Sequence, residues 1–88
     1  MCPVYIHGIS NHGKRIKTHT VTDNISSGGL YLHTPQPLKL GSIVFTFTQL
    51  LSGARLAARG KVVRVETKGH SLPGLAVHFN RPRLFAAL

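Results

Sequence analysis

The residues best suited to chemistry in this chain are Asn24, Ser26, Gly28 and Gly29. They stand in the run Thr22-Asp23-Asn24-Ile25-Ser26-Ser27-Gly28-Gly29-Leu30-Tyr31-Leu32, where a polar strand end meets a new apolar alternation starting at Leu30. Asn and Ser carry short hydrogen-bonding groups, and paired glycines add little bulk. Such a turn can present side chains and backbone N–H groups to an anion, because glycine lets a ligand approach closely. The same residues also make an ordinary β-turn. Their chemistry is that of binding: Asp23, Ser26 and His33 are near one another in sequence, but a turn accounts for two of them and no Ser-His-Asp triad can be argued.

The charge balance points the same way. Eleven Lys/Arg face only Asp23 and Glu66, a formal +9 with a pI near 11.0. Salt bridges cannot account for so many cations, and a field of this sign draws anions: nucleotides, nucleic acid, acidic protein or a membrane surface. Two carboxylates far apart in sequence argue against hydrolysis by a carboxylate pair. No catalytic residue is assigned, and a non-enzymatic role is expected. His7, His12, His19, His33, His70 and His78 form no H-x-x-x-H or His/Cys cluster, so no metal site is expected. Cys2 is the only cysteine and cannot form an internal disulfide. The N-terminus lacks the pattern of a signal peptide, and no apolar run approaches the ~18 residues of a membrane span. A cytoplasmic location is the default.

Eighty-eight residues bound one small domain, 1–88, standing alone or cut from a longer protein. Strand signals must position the turn. Val4–Ile9 reads as a first strand, Ser10–Gly13 as a turn, and Lys14–Thr22 as a returning strand rich in Thr and β-branched residues. Leu30–Thr34 follows the Asn24–Gly29 turn and stops at Pro35 and Pro37. Ser42–Leu50 alternates, with Ile43, Phe45 and Phe47 on the face expected inward and Thr46 and Thr48 opposite. Phe45, Phe47, Phe79 and Phe85 are the expected large core residues. Ala54–Thr67 is long for one strand, and Gly60 marks an expected bend or bulge. Gly74–Asn80 is the last strand. The tail Arg81–Leu88 reads as a short helix opened by Pro82. The expectation is all-β: a six-stranded antiparallel β-barrel with a short C-terminal helix.

Asn24-x-Ser26-x-x-Gly29, followed by Gly29-Leu30-Tyr31-Leu32 and later by Gly60–Val65 and Gly74–Phe79, resembles the PilZ domain family over roughly residues 3–80. The resemblance implies a six-stranded barrel that binds cyclic di-GMP, a bacterial second messenger with two phosphates and two guanines. It implies that Asn24 bonds a guanine edge or the ribose, that Ser26 bonds a phosphate or guanine, and that Gly28 and Gly29 hold the turn open. The family's other motif, Arg-x-x-x-Arg just ahead of the first strand, clamps phosphates and stacks on guanine through planar guanidinium groups. Only Met1-Cys2-Pro3 precede Val4, and no Arg-x-x-x-Arg stands there: it was lost, or it lies upstream of this sequence.

Lys14 and Arg15 cannot replace it. In a hairpin of the first two strands they sit at the end opposite the turn, about eight residues or some 25 Å away. Arg55, Arg59, Lys61 and Arg64 come from another strand, and which of them reaches the turn is open at this level. Three functions follow in order: a cyclic di-GMP effector module signalling by protein contacts, a degenerate adaptor that binds no nucleotide, and a basic barrel for single-stranded nucleic acid. For the last, Phe45 is expected inward, leaving Tyr31 as the exposed aromatic.

Overall fold

The computed structural model describes residues 2–9, 13–22, 24–35, 38–67 and 72–86. Its strands are β1 (Cys2–Ile9), β2 (Arg15–Thr22), β3 (Asn24–Ile25), β4 (Gly29–His33), β5 (Ile43–Gln49), β6 (Arg55–Glu66) and β7 (Gly74–Phe85). All pair antiparallel in one sheet of order β2-β1-β5-β6-β7-β4-β3. The β1–β2 hairpin runs from Cys2↔Thr22 to Ile9↔Arg15, as its composition predicts. Gly53, at φ 90°, lets the β5–β6 connection close with its N–H donating to the Leu50 carbonyl at 2.9 Å. The turns expected at 10–13 and 68–71 lie, apart from Gly13, outside the described residues, as does Pro37.

The sheet curls until β2 approaches β4. No ladder joins them among the described residues. Side chains bridge the gap instead: Thr20 Oγ1 donates to the His33 carbonyl at 3.0 Å, and Thr22 Oγ1 to that of Tyr31. The result is a half-barrel whose concave side holds the core. Ile6, Leu32, Leu75, Val4, Val44 and Val62 are the largest apolar side chains fully buried there, with Phe79 packed beside them. Burying each such side chain stabilises the fold by about 1.5–3 kcal/mol.

Four expectations are corrected. Among the described residues the sheet has seven strands rather than six, because the motif itself contributes the two-residue β3. Among the described residues there is no C-terminal helix: β7 continues to Phe85 and pairs Phe85↔Arg55 and Leu84↔Leu56. The start of β6 needs a partner, and the few Ala and Leu residues of the tail cannot sustain an isolated helix. Arg81, at φ 54°, and Pro82 accommodate the register shift instead. Gly60 is no bulge: it pairs regularly with Phe79, and the shifts flank it at Ala57/Arg59 and Val62/Arg64. A Cβ there would meet Val77 Cγ1 at 2.5 Å and the His78 carbonyl oxygen at 3.0 Å, so glycine serves close approach of β6 to β7.

The fourth correction inverts β5. Val44, Thr46 and Thr48 face the core, while Phe45 and Phe47 are 53% and 54% exposed, and Ile43 and Phe85 are exposed too. Alternation in β5 alone permits either face, and its neighbours decide. Val4↔Thr48 and Ile6↔Thr46 on one side, and Val44↔Gly60 and Thr46↔Ala58 on the other, tie the threonine face to strands whose own inward positions are aliphatic or small. The interior beside Gly8 and Gly60 is too narrow for two phenyl rings: a Cβ on Gly8 would already sit 3.0 Å from Val44 Cγ1. Thr46 satisfies its buried hydroxyl by donating to the Ala58 carbonyl at 3.3 Å. Phe79→Ala is therefore expected to cost about 3–5 kcal/mol in urea denaturation, and Phe45→Ala less than about 1 kcal/mol. Equal costs would contradict the inverted face.

Candidate functional site

The site begins with Thr22, whose buried hydroxyl receives the Asn24 N–H at 3.2 Å and faces the Tyr31 carbonyl as donor. This fixes where the chain leaves β2 and where β3 pairs with β4, at Asn24↔Tyr31 and Ile25↔Leu30. The hairpin closes over Ser27-Gly28: Ser26 N–H donates to the Gly29 carbonyl at 2.9 Å, and Ser26 Oγ accepts the Gly28 N–H at 3.2 Å. Ser26 thus does make the turn, yet its hydroxyl proton stays available to an outside acceptor. The Asn24 side-chain amide has no hydrogen-bond partner among the described residues and is exposed.

Paired positions share a face, so the register places the surroundings. One row on the convex side reads Asn24, Tyr31, Ala76, Arg64 across β3, β4, β7 and β6. The next reads Gly29, His78, Lys61. Small Gly29 and Ala76 lie between larger neighbours and leave a hollow of about 240 Å³, bordered by Asn24, Ser26, Gly28, Tyr31, Arg64 and His78. Gly29 is required for a second reason: a Cβ there would fall well inside contact distance of the Val77 carbonyl oxygen. Gly28 has open space, with only Ser26 Oγ at 3.9 Å.

Arg64 is the residue that the sequence left undecided. The extra residue Val63 at the Val62/Arg64 shift sets Arg64 opposite Ala76, on the face of the hollow. Doubled Val62-Val63, which interrupts the alternation, is the signal for that bulge. Arg64 Nε pairs with Glu66 Oε1 at 2.8 Å, and its guanidinium stands 6.0 Å from the Tyr31 ring centroid. Its side chain is 63% exposed, so the pair holds it in place with little net energy. Tyr31 O–H donates to Glu66 Oε2 at 3.3 Å. Lys61 ends the row next to the hollow without lining it, whereas Arg55 and Arg59 lie further along β6, and Arg15 stands at the far end of β2 as expected. Among the described residues no three His, Cys, Asp or Glu converge to hold a metal, and no helix is long and apolar enough to cross a membrane.

Two predictions follow from this geometry. Gly29→Ala should destabilise the fold by about 1–3 kcal/mol, and Gly28→Ala by less than about 0.5 kcal/mol, in urea denaturation. The second concerns Tyr31, whose phenol is pushed above its ordinary value by desolvation and by the Glu66 carboxylate, against the opposing Arg64 charge. In a Tyr5→Phe background, ultraviolet titration of Tyr31 should give a midpoint above that of an ordinary tyrosine. Adding Glu66→Gln should lower it. Because the folded phenol holds its proton more tightly than the unfolded one, the stability this contact contributes is present below the ordinary tyrosine range. It is lost as pH rises through the folded value. A midpoint that ignores Glu66→Gln would remove the contact.

No curated protein and no solved structure matches the chain. A family model described as PilZ domain matches residues 2–84, nearly the whole length and including the hairpin and all the strands that build the hollow. The chain belongs to the PilZ domain family.

Proposed function

We propose that this chain is a non-enzymatic effector module that binds cyclic di-GMP at the Asn24–Gly29 hairpin and passes the signal on by protein contacts. The family is one of cyclic di-GMP-binding modules. The observation that carries the reading here is the juxtaposition of Arg64 with the unpartnered Asn24 amide around one hollow. A cyclic dinucleotide needs cations for its phosphates and donor–acceptor groups for its guanine edges. Asn24 and Ser26 provide the second, and Arg64 provides a planar guanidinium for phosphate or guanine. Gly28 and Gly29 keep the floor and rim free of side chains.

The Cys2↔Thr22 pair bears on the absent arginine motif. Residues ahead of Cys2 would arrive beside Thr22, the residue that anchors Asn24 and Tyr31. Arginines from that direction would meet the hollow on the side opposite Arg64, and ordering them over the ligand would alter the surface offered to a partner. The competing reading, an adaptor without nucleotide, is favoured by the ion pair that already occupies Arg64.

Calorimetric titration with cyclic di-GMP at physiological salt, with linear pGpG alongside, separates the two. Saturable binding selective for the cyclic form is expected. Asn24→Ala and Ser26→Ala should each weaken it by about 1–3 kcal/mol, and Arg64→Ala by a similar amount. Unchanged affinity in all three variants would place the ligand elsewhere. Absence of heat, both in this chain and in one extended by the residues that precede Met1 in the reading frame, would favour the adaptor.

A further inference from the structure

The inversion of β5 creates a surface that the hairpin site does not use. Phe45 and Phe47 stand on the convex face of a central strand, about half exposed. Tyr5 lies directly opposite Phe47 on β1, and His7 opposite Phe45. Phe45 and Phe47, two residues apart, are separated by about 6.8 Å along the strand, with Tyr5 roughly 5 Å across. Cations flank these rings on both sides. On β2, Lys17 pairs with His7 and Arg15 with Ile9. On β6, Arg59 pairs with Phe45 and Lys61 with Ile43. Glu66, the acidic residue among those described, is at the far end of β6 beside Tyr31, away from the rings.

Where the β1–β5 ladder stops at Val4↔Thr48, a hollow of about 300 Å³ opens beside the rings. Tyr5, His19 and Phe47 wall it, and Gln49 and Arg55 supply polar groups. Tyr5 and His19 already meet edge to face at 4.6 Å. Thr48, only 1% exposed, also borders this hollow, and its hydroxyl has no hydrogen-bond partner among the described residues.

We propose that this face, centred on Tyr5, Phe45 and Phe47, binds single-stranded nucleic acid, with bases stacked on the rings and the backbone tracked by Lys17, Arg59 and Lys61. Two exposed rings on a central strand, with the half-buried Tyr5 beside them and basic neighbours, are what sequence-tolerant base stacking requires. An extended peptide would need an unpaired edge, and β1 and β5 are each paired on both sides. A helical peptide would need an apolar groove, and this is the convex side of the sheet. A second copy would bring two sets of cations together with no carboxylate between them. The face is distinct from the hairpin hollow and does not depend on cyclic di-GMP binding.

The test is fluorescence anisotropy with labelled twelve-nucleotide oligo(dT) and oligo(rU) over a salt series. Poly-glutamate serves as an anion without bases, and an acidic peptide of similar length as a protein mimic. Saturable binding of either oligonucleotide is expected, and the two arms report whether DNA or RNA is preferred. Phe45→Ala and Phe47→Ala should each weaken it about tenfold. Lys17→Gln and Arg59→Gln should each lower the slope of log affinity against log salt by about 0.7. Asn24→Ala and Ser26→Ala should leave it unchanged. Amide shifts on adding oligonucleotide should map to β1 and β5, a readout that needs no variant. Binding of poly-glutamate as tight as that of the oligonucleotides, or indifference to Phe45→Ala with Phe47→Ala, would reduce the face to a charge patch and overturn the proposal. So would capture of the acidic peptide through the same rings with no binding of oligonucleotide.

Discussion

The hydroxyl of Thr22 is the interaction on which the site depends. The half-barrel has a seam where β2 comes up to β4 without a ladder, and Thr20 and Thr22 span it by side-chain hydrogen bonds. Thr22 does more than close the seam. It receives the Asn24 N–H and faces the Tyr31 carbonyl, so the end of β2, the start of β3 and the middle of β4 share one buried polar atom. A hydroxyl in a low-dielectric setting is costly to leave unpaired, which makes this junction specific about geometry. Asn24 and Tyr31 inherit their positions from it. The start of β1 lies beside this junction, since Cys2 pairs with Thr22.

Close backbone approach is the second constraint, and it explains why glycines matter on either side of β7. Gly29 lies against the Val77 carbonyl, and Gly60 against Val77 Cγ1 and the His78 carbonyl. These contacts pull β4 and β6 close to β7 over the same two residues. The hollow at the hairpin is the outward consequence: where backbones come this near, one wall has no side chain. The motif glycine is thus a packing residue first. That separates it from Asn24, whose exposed side-chain amide has no hydrogen-bond partner among the described residues.

Period-two alternation in β5 was plain in the chain, as were the hairpin motif and the remoteness of Lys14 and Arg15. What alternation could not convey was which side of β5 is inside. A strand with Ile, Phe and Phe on one side and Val, Thr and Thr on the other looks oriented by hydrophobicity, yet interior width decides against it. Thr46 can enter because the Ala58 carbonyl receives its proton, and Phe45 cannot because Gly8 and Gly60 mark a space without room. The tail misled for a related reason. Ala and Leu favour helix weakly, whereas unpaired backbone at Arg55–Ala57 favours a ladder strongly. Arg64 was hidden behind a one-residue bulge, legible only as two adjacent valines.

The bulge at Val63 also divides the work of β6. Before it, Arg55, Arg59 and Lys61 follow regular alternation and line the flank of the aromatic face. After it, Arg64 and Glu66 turn to Tyr31 and the hairpin hollow. One strand therefore serves two surfaces, and a single inserted residue sets the boundary between them. The excess of +9 is partitioned by the same device: the cations before the bulge have no acidic neighbour among the described residues, while Arg64 is neutralised in part by Glu66. An uncompensated row attracts polyanions over long range and loses grip with salt. A cation held by one carboxylate beside an aromatic ring is instead oriented before a ligand arrives, so less ordering remains to be done on binding. The two faces differ in this electrostatic character more than in their count of charges, and the fold produces the difference from one strand by a change of register.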